Sequence, residues 1–134
     1  IKPCEAEFAS RLHRMVDVKI NYHCCGSAVY FIPDFIEMGY DSLNPVQVTA
    51  EGMDPCSLKQ RHGDEMVFWG GVCNTQGTLP FGTPDQVRDE VRYNVGCLKK
   101  GGGFVAANIH NITYDVPPEN IVAMFDAINE FGYY

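Results

Sequence analysis

The chain has 134 residues, 46% hydrophobic and 20% charged, with a formal net charge of −7. That is globular composition in a single unit, residues 1–134, large enough to bury its own core. No apolar run approaches the ~18 residues a bilayer-spanning helix needs. Basic residues stand singly or in pairs such as Lys99 and Lys100. The pattern lacks the basic stripe a phosphate backbone would require, so neither membrane nor nucleic acid is an expected partner.

The opening stretch "IKPCEAEFASRLHRMVDV" has neither the basic start nor the apolar core of a signal peptide, and reads as the interior of a longer polypeptide. The expected location is the cytoplasm. The six cysteines, Cys4, Cys24, Cys25, Cys56, Cys73 and Cys97, are accordingly expected to be reduced thiols.

In chain order, "EAEFASRLHRMV" predicts an opening helix with Phe8, Leu12 and Met15 along one side. "VDVKINYH" predicts the first strand, and "IPDFIEMG" the end of a helix stopped by Gly39. "YDSLNPV" is the second strand. "DPCSLKQRHG" then places Asp54 as N-cap, Pro55 at the first helical position and Gly63 as stop. "EMVFWGGV" is the third strand, with Phe68 and Trp69 read as core. "GTPDQVRDEVRYNVGCLKKGGG" has the clearest helical signature. Thr83 and Gln86 form a capping box, Pro84 opens the helix, and Val87, Val91, Val95 and Leu98 make one stripe. "GFVAANIH" is the fourth strand, followed by a helix in "DVPPENIVAMFDAINEFG" with a stripe of Ile121, Met124, Phe125 and Ile128.

The four strand segments are nearly continuous in apolar character, which suits burial on both faces of a parallel sheet. Strand and helix alternate, so the connections are right-handed crossovers with the helices outside. Two architectures accept this order, a doubly wound open sheet or half of an eight-stranded barrel. In both, chemistry belongs at the carboxyl ends of the strands. His23, Cys24 and Cys25 fall there, as do Asn44 to Gln47, Gly70 to Gln76, and Asn108 to Asn111. His23 and Cys25 stand one residue apart, so in extended backbone they point the same way and Cys24 points opposite. The pair reads either as two metal ligands, with His110 as a third, or as a strand end with an incidental cysteine. His110 alone also reads as a hydrogen-bond partner of a substrate carboxylate or of a neighbouring strand. Gly70 and Gly71 imply a close approach of backbone, to a ligand or to the next strand. Cys4, Cys56 and Cys97 fall on helices and read as packing residues.

Four stretches, "YHCCGSAVYFIPDFIEMGYDSLNPVQ", "GDEMVFWGGVCNTQ", "GTPDQVRDEV" and "GGGFVAANIHNITYDVPPENIVAMFDA", resemble the uroporphyrinogen decarboxylase superfamily in its branch of cobalamin-dependent methyltransferases. The resemblance implies an α/β fold, the carboxyl-terminal half of a (β/α)8 TIM barrel, with four parallel strands and outer helices. It implies zinc on His23 and Cys25. His110 stands at the third ligand position, where that branch has cysteine, and where the decarboxylase branch has a substrate-site histidine. It also implies a corrinoid (cobalamin) as methyl carrier, with the methyl group moving to or from a thiol or other acceptor. Gln47 reads either as a loop hydrogen bond or as a donor behind the metal ligands, and Gly70 and Gly71 become backbone close to a cofactor. Cys73 stands where "GGV" is commonly followed by aspartate. The implied partners are a corrinoid or corrinoid protein, and an amino-terminal half-barrel or second copy covering the open sheet face. The alternatives are a metal-free decarboxylase-like lyase, with His110 assisting protonation, and a non-catalytic half-barrel subunit.

Overall fold

The computed structural model describes residues 1–133. Helix α1 (Lys2–Met15) precedes strand β1 (Asn21–His23), and a 3₁₀ turn (Val29–Phe31) leads into α2 (Ile32–Met38). Strand β2 (Ser42–Asn44), α3 (Pro55–His62) and β3 (Val67–Trp69) follow. The chain continues through α4 (Thr78–Phe81), α5 (Pro84–Leu98), β4 (Phe104–Val105) and α6 (Pro118–Phe131). All strand pairs are parallel and lie in the order β1-β2-β3-β4. Sequential parallel strands with helices returning along one side are the architecture of a partial (β/α)8 barrel.

The helix termini follow local chemistry. Asp54 Oδ1 accepts the Ser57 N–H at 2.8 Å and caps α3. At α5 the capping box closes in both directions: Gln86 Oε1 accepts the Thr83 N–H at 2.8 Å, and Thr83 Oγ1 accepts the Gln86 N–H at 3.3 Å. Gly39 ends α2 at φ +91°, a left-handed conformation that costs a residue with a Cβ but not glycine. Helix α4 was not expected; "GTLPF" is too short to show a period.

Register divides the sheet into two faces. Tyr22, Leu43, Phe68 and Phe104 stand side by side across the four strands. Leu43 and Phe68 are fully buried, and all four pack into the core against the helices. The next row, His23, Asn44, Trp69 and Val105, points to the opposite, open face. A second apolar cluster joins Val72, Cys73, Val87, Val91 and Val95 to Met124 and Ala127, so the stripe expected on α5 is buried throughout.

Three packing expectations are corrected. Trp69 is 41% exposed because it falls on the open face, one position out of phase with Phe68. On α1 the buried residue is Ala9, with Leu12 partly buried, whereas Phe8 is 55% and Met15 79% exposed. The helix docks through its small residue: a Cβ built on Gly39 would lie 3.8 Å from that of Ala9. On α6, Asn120 and Ala127 share the buried side with Met124, and Phe125 turns outward.

The thiol inventory is corrected as well. Cys56 and Cys97 form a disulfide, because α3 lies alongside the end of α5 and brings their Cα atoms to 4.6 Å, inside the bridging range. Cys4, Cys24, Cys25 and Cys73 remain free thiols.

Asp41 fixes the entrance to the first two strands. Its carboxylate accepts the Ile20 N–H at 2.8 Å and pairs with the Lys19 ammonium at 2.9 Å, while His13, which donates to Gly39 O, stands 3.7 Å away. Burial pushes the carboxyl up, but the Ile20 N–H and the Lys19 charge outweigh it, so the group titrates below its usual range. A lowered folded-state pKa gives stability that is present above the unfolded pKa and lost as pH falls through the folded one. Asp41→Asn is expected to cost about 1 kcal/mol at pH 7, with the difference from wild type shrinking below about pH 4 in urea unfolding. A difference independent of pH would assign the contact to packing instead of charge.

Candidate functional site

The site forms at the carboxyl edge of the sheet. Strand β1 ends at His23, and the chain stays extended long enough for Cys24 N–H to donate to Asn44 O at 2.8 Å before Gly26 turns at φ +86°. That short extension sets the side chains of His23 and Cys25 on the same side. Cys25 Sγ lies 3.4 Å from His23 Nε2, and both residues are exposed. Cys24 is partly buried against the core on the other side, as the alternation requires.

The orientation of the imidazole is set by Asn44. Asn44 Nδ2 donates to Trp69 O at 3.3 Å, which leaves Oδ1 to accept the Nδ1–H of His23 at 2.9 Å. An amide oxygen only accepts, so Nδ1 carries a proton, and in the neutral ring the Nε2 lone pair faces the thiol. The residue that fixes the tautomer lay inside the strand-end segment read from sequence, but no motif singled it out. Its signal was positional: it is the register partner of His23 on the neighbouring strand.

His110 and Cys25 line one pocket of about 220 Å³, together with Gln47, Thr49, Asn74, Thr75, Gln76 and Ile109. The wall is built of amides and hydroxyls, and no lysine or arginine lines it. Gln47 Oε1 accepts the Gly26 N–H at 2.7 Å, so this side chain ties the loop after β1 to the loop after β2. The opposite wall is held from the helical layer. Glu90 Oε1 on α5 accepts the Asn74 N–H at 2.9 Å, and Asn74 Oδ1 accepts the Gln76 N–H at 2.9 Å. Sequence reasoning missed Glu90, which is distant in the chain from every residue of the pocket. Cys73, directly before this wall, is buried, and burial together with the Glu90 charge pushes its thiol far up. It is a neutral packing group.

Gly70 and Gly71 take φ of +92° and +89°. A Cβ on Gly70 would meet Asn108 O at 3.1 Å, and one on Gly71 would meet the Val46 side chain at 2.9 Å. Neighbouring loop backbone and side chains fill the space at both glycines, which accounts for them through chain packing. Among the described residues, no three His, Cys, Asp or Glu side chains are gathered closely enough to hold a metal. His23 and Cys25 are brought together, and His110 shares a pocket with Cys25 without closing on the pair.

A larger concavity, about 720 Å³, opens over the exposed sheet face and the amino ends of the strands, lined among others by Lys19, Asp41, Trp69 and Val105. Parallel α/β sheets bind ligands at the carboxyl ends. The smaller pocket, which holds the thiol and the imidazole, is therefore the candidate site.

The curated uroporphyrinogen decarboxylase of Psychromonas ingrahamii is 37% identical over 80 residues, 60% of this chain and 22% of that protein. That of Methylococcus capsulatus is 33% identical over 96 residues, 72% of this chain and 25% of that protein. The chain thus spans about a quarter of the length of these relatives. A solved methyltransferase from Methanosarcina mazei superposes with a TM-score of 0.73 at 24% identity, over 99% of this chain and 36% of its own, which establishes a shared fold. The uroporphyrinogen decarboxylase (URO-D) family model matches residues 1–131, and the chain belongs to that family.

Proposed function

We propose that this chain is the carboxyl-terminal half-barrel of a methyltransferase that moves a methyl group between a corrinoid and a thiol or other acceptor, with zinc at His23, Cys25 and His110. The observation that carries the reading is the pair itself, a thiol 3.4 Å from an imidazole nitrogen whose lone pair faces it. The donor set fits zinc: one soft sulfur and one imidazole, with the far ring nitrogen tied to an amide oxygen as metal-bound histidines usually are. His110, in the same pocket, is the candidate third ligand. When bound, zinc would lower the pKa of an acceptor thiol and supply thiolate at neutral pH. One thiolate and two neutral imidazoles leave such a site net positive, where a second thiolate would make it neutral.

This chain's own residues supply the rest. Asn44 holds His23 in the ligating tautomer. Gln47 keeps the Cys25 loop against the pocket, and Glu90 holds the opposing wall of Asn74, Thr75 and Gln76. Those amides orient a polar acceptor without carrying charge. The open face of Trp69, Val67 and Val105 is where an amino-terminal half-barrel, or a second copy, would close the inner space.

The second reading is a decarboxylase-like lyase, favoured by the names of the curated relatives. In it His110 assists protonation and no metal is held.

Two sets of variants in the full-length protein separate these readings. Cys25→Ser removes the soft ligand and is expected to weaken zinc binding about 100-fold or more, whereas Cys24→Ser, on the core side, leaves it nearly unchanged. Equal losses would refute the geometric assignment, and unchanged zinc content in Cys25→Ser would remove the residue from the site. For His110, zinc titration should show loss of affinity in His110→Ala and retention in His110→Cys, because thiolate replaces imidazole in a tetrahedral set. Zinc binding indifferent to both substitutions would refute His110 as a ligand, and impaired turnover alongside it would fit a substrate contact of the lyase kind.

A further inference from the structure

On the outer layer, away from the carboxyl edge, the disulfide between Cys56 on α3 and Cys97 on α5 forms the floor of a solvent-open pocket of about 400 Å³. The rest of the lining is Lys59, Gln60, Asp64 and Lys100. The two cysteines differ in access. Cys97 is only 4% exposed, while Cys56 is half-buried and is the more open residue of the pair. The charges around it are unequal as well. Lys59 is committed inward, its ammonium donating to Gly102 O at 2.6 Å and standing 3.4 Å from Gly63 O, and burial lowers its pKa. Lys100 is exposed and, among the described residues, is in no ion pair. Two ammonium groups against the single carboxylate of Asp64 leave the mouth of the pocket positive on a chain whose net charge is −7.

We propose that this pocket is a thiol–disulfide exchange site that receives a low-molecular-weight thiol bearing carboxylates, with Cys56 as the sulfur that is thiolated. The incoming thiolate attacks Cys56 Sγ, the bond to Cys97 breaks, and Cys97 leaves as a thiolate that takes a proton from solvent. The carboxylates of the bound thiol face Lys100. A second thiol then attacks the mixed disulfide, releasing the small disulfide and leaving Cys56 as a thiol. In sum, two small thiols are oxidised to one disulfide and the protein cystine is reduced to two thiols. The reverse path, with the small disulfide as oxidant, closes the bridge again. The proposal is independent of the reaction at the carboxyl edge, because neither cysteine and no residue of this pocket lines the other.

The test uses the full chain and three thiol probes at equal thiolate concentration and low salt: glutathione, which is anionic, 2-mercaptoethanol, which is neutral, and cysteamine, which is cationic. Peptide mapping after acid quench separates adducts on Cys56 from those on Cys4, Cys24 and Cys25. Glutathione is expected to give a mixed disulfide on Cys56 roughly two- to fivefold faster than cysteamine, with 2-mercaptoethanol between them. In Lys100→Glu, an exposed substitution, the order should equalise or reverse. Cys97→Ser should still take a single glutathionyl group on Cys56 from oxidised glutathione. An adduct on Cys97, equal rates for all three probes, or free Cys56 and Cys97 thiols persisting in oxidised glutathione would each overturn the proposal.

Discussion

The parallel register of the four strands is the constraint on which the rest of the molecule depends. Once Tyr22, Leu43, Phe68 and Phe104 stand in one row against the helices, strand geometry allows no choice for their neighbours. His23, Asn44, Trp69 and Val105 must then turn to the open face. A shift of a single residue in β1 would bury the imidazole and send Tyr22 into solvent. The hydrophobic row thus positions the site indirectly, by excluding every other placement of His23. Asp41 works to the same end at the opposite edge, holding the Ile20 N–H just before β1 begins.

Much of this was legible in the sequence, and the parts that were not have identifiable causes. Helix starts could be read because capping is local: Asp54, Thr83 and Gln86 act within three residues of themselves. The β/α alternation narrowed the sheet to two architectures, and the family resemblance pointed to the sequential order of the barrel. Faces were harder. Trp69 and Phe68 are equally apolar, and only the register of β3 against β4 decides which is covered. Phe8 and Met15 fit a helical stripe as well as Ala9 does, but α1 docks where it can approach Gly39 closely, and a small residue wins there. The Cys56 to Cys97 bridge was invisible for the same reason. It spans 41 residues and depends on how the loop after β2 lays α3 along α5.

At the candidate site the division between local and tertiary information is sharper. The spacing His-x-Cys sufficed to place imidazole and thiol on one side, and the structure brings them to 3.4 Å. Spacing could not supply Asn44, which acts across the strand pair, or Glu90, which acts from the helical layer. Both arrive through hydrogen bonds to groups far away in sequence. These contacts decide chemistry, because a free histidine beside a thiol has two tautomers and only one presents Nε2 as a lone pair to sulfur. The two glycines run the other way. The pair suggested a close approach of backbone, to a ligand or to the next strand, and the neighbours it meets are Asn108 O and Val46 in the adjoining loops.

The charge distribution separates the two pockets in kind. The pocket at the carboxyl edge is lined by amides, hydroxyls, one isoleucine, one imidazole and one thiol, so what this chain offers there is hydrogen bonding. The outer pocket over the disulfide carries fixed charge of its own, so it sorts reagents by sign before any bond is made. The free thiols follow the same logic. Cys73 lies in apolar surroundings beside a carboxylate and is held neutral, which removes it from nucleophilic chemistry although it sits one residue from the pocket wall. Cys25 is exposed, beside an imidazole lone pair, and free of any neighbouring carboxylate bond among the described residues. Of the three free thiols nearest the carboxyl edge of β1 and β3, Cys24 packs toward the core and Cys73 is buried and neutral, which leaves Cys25 as the one whose sulfur is available to a ligand.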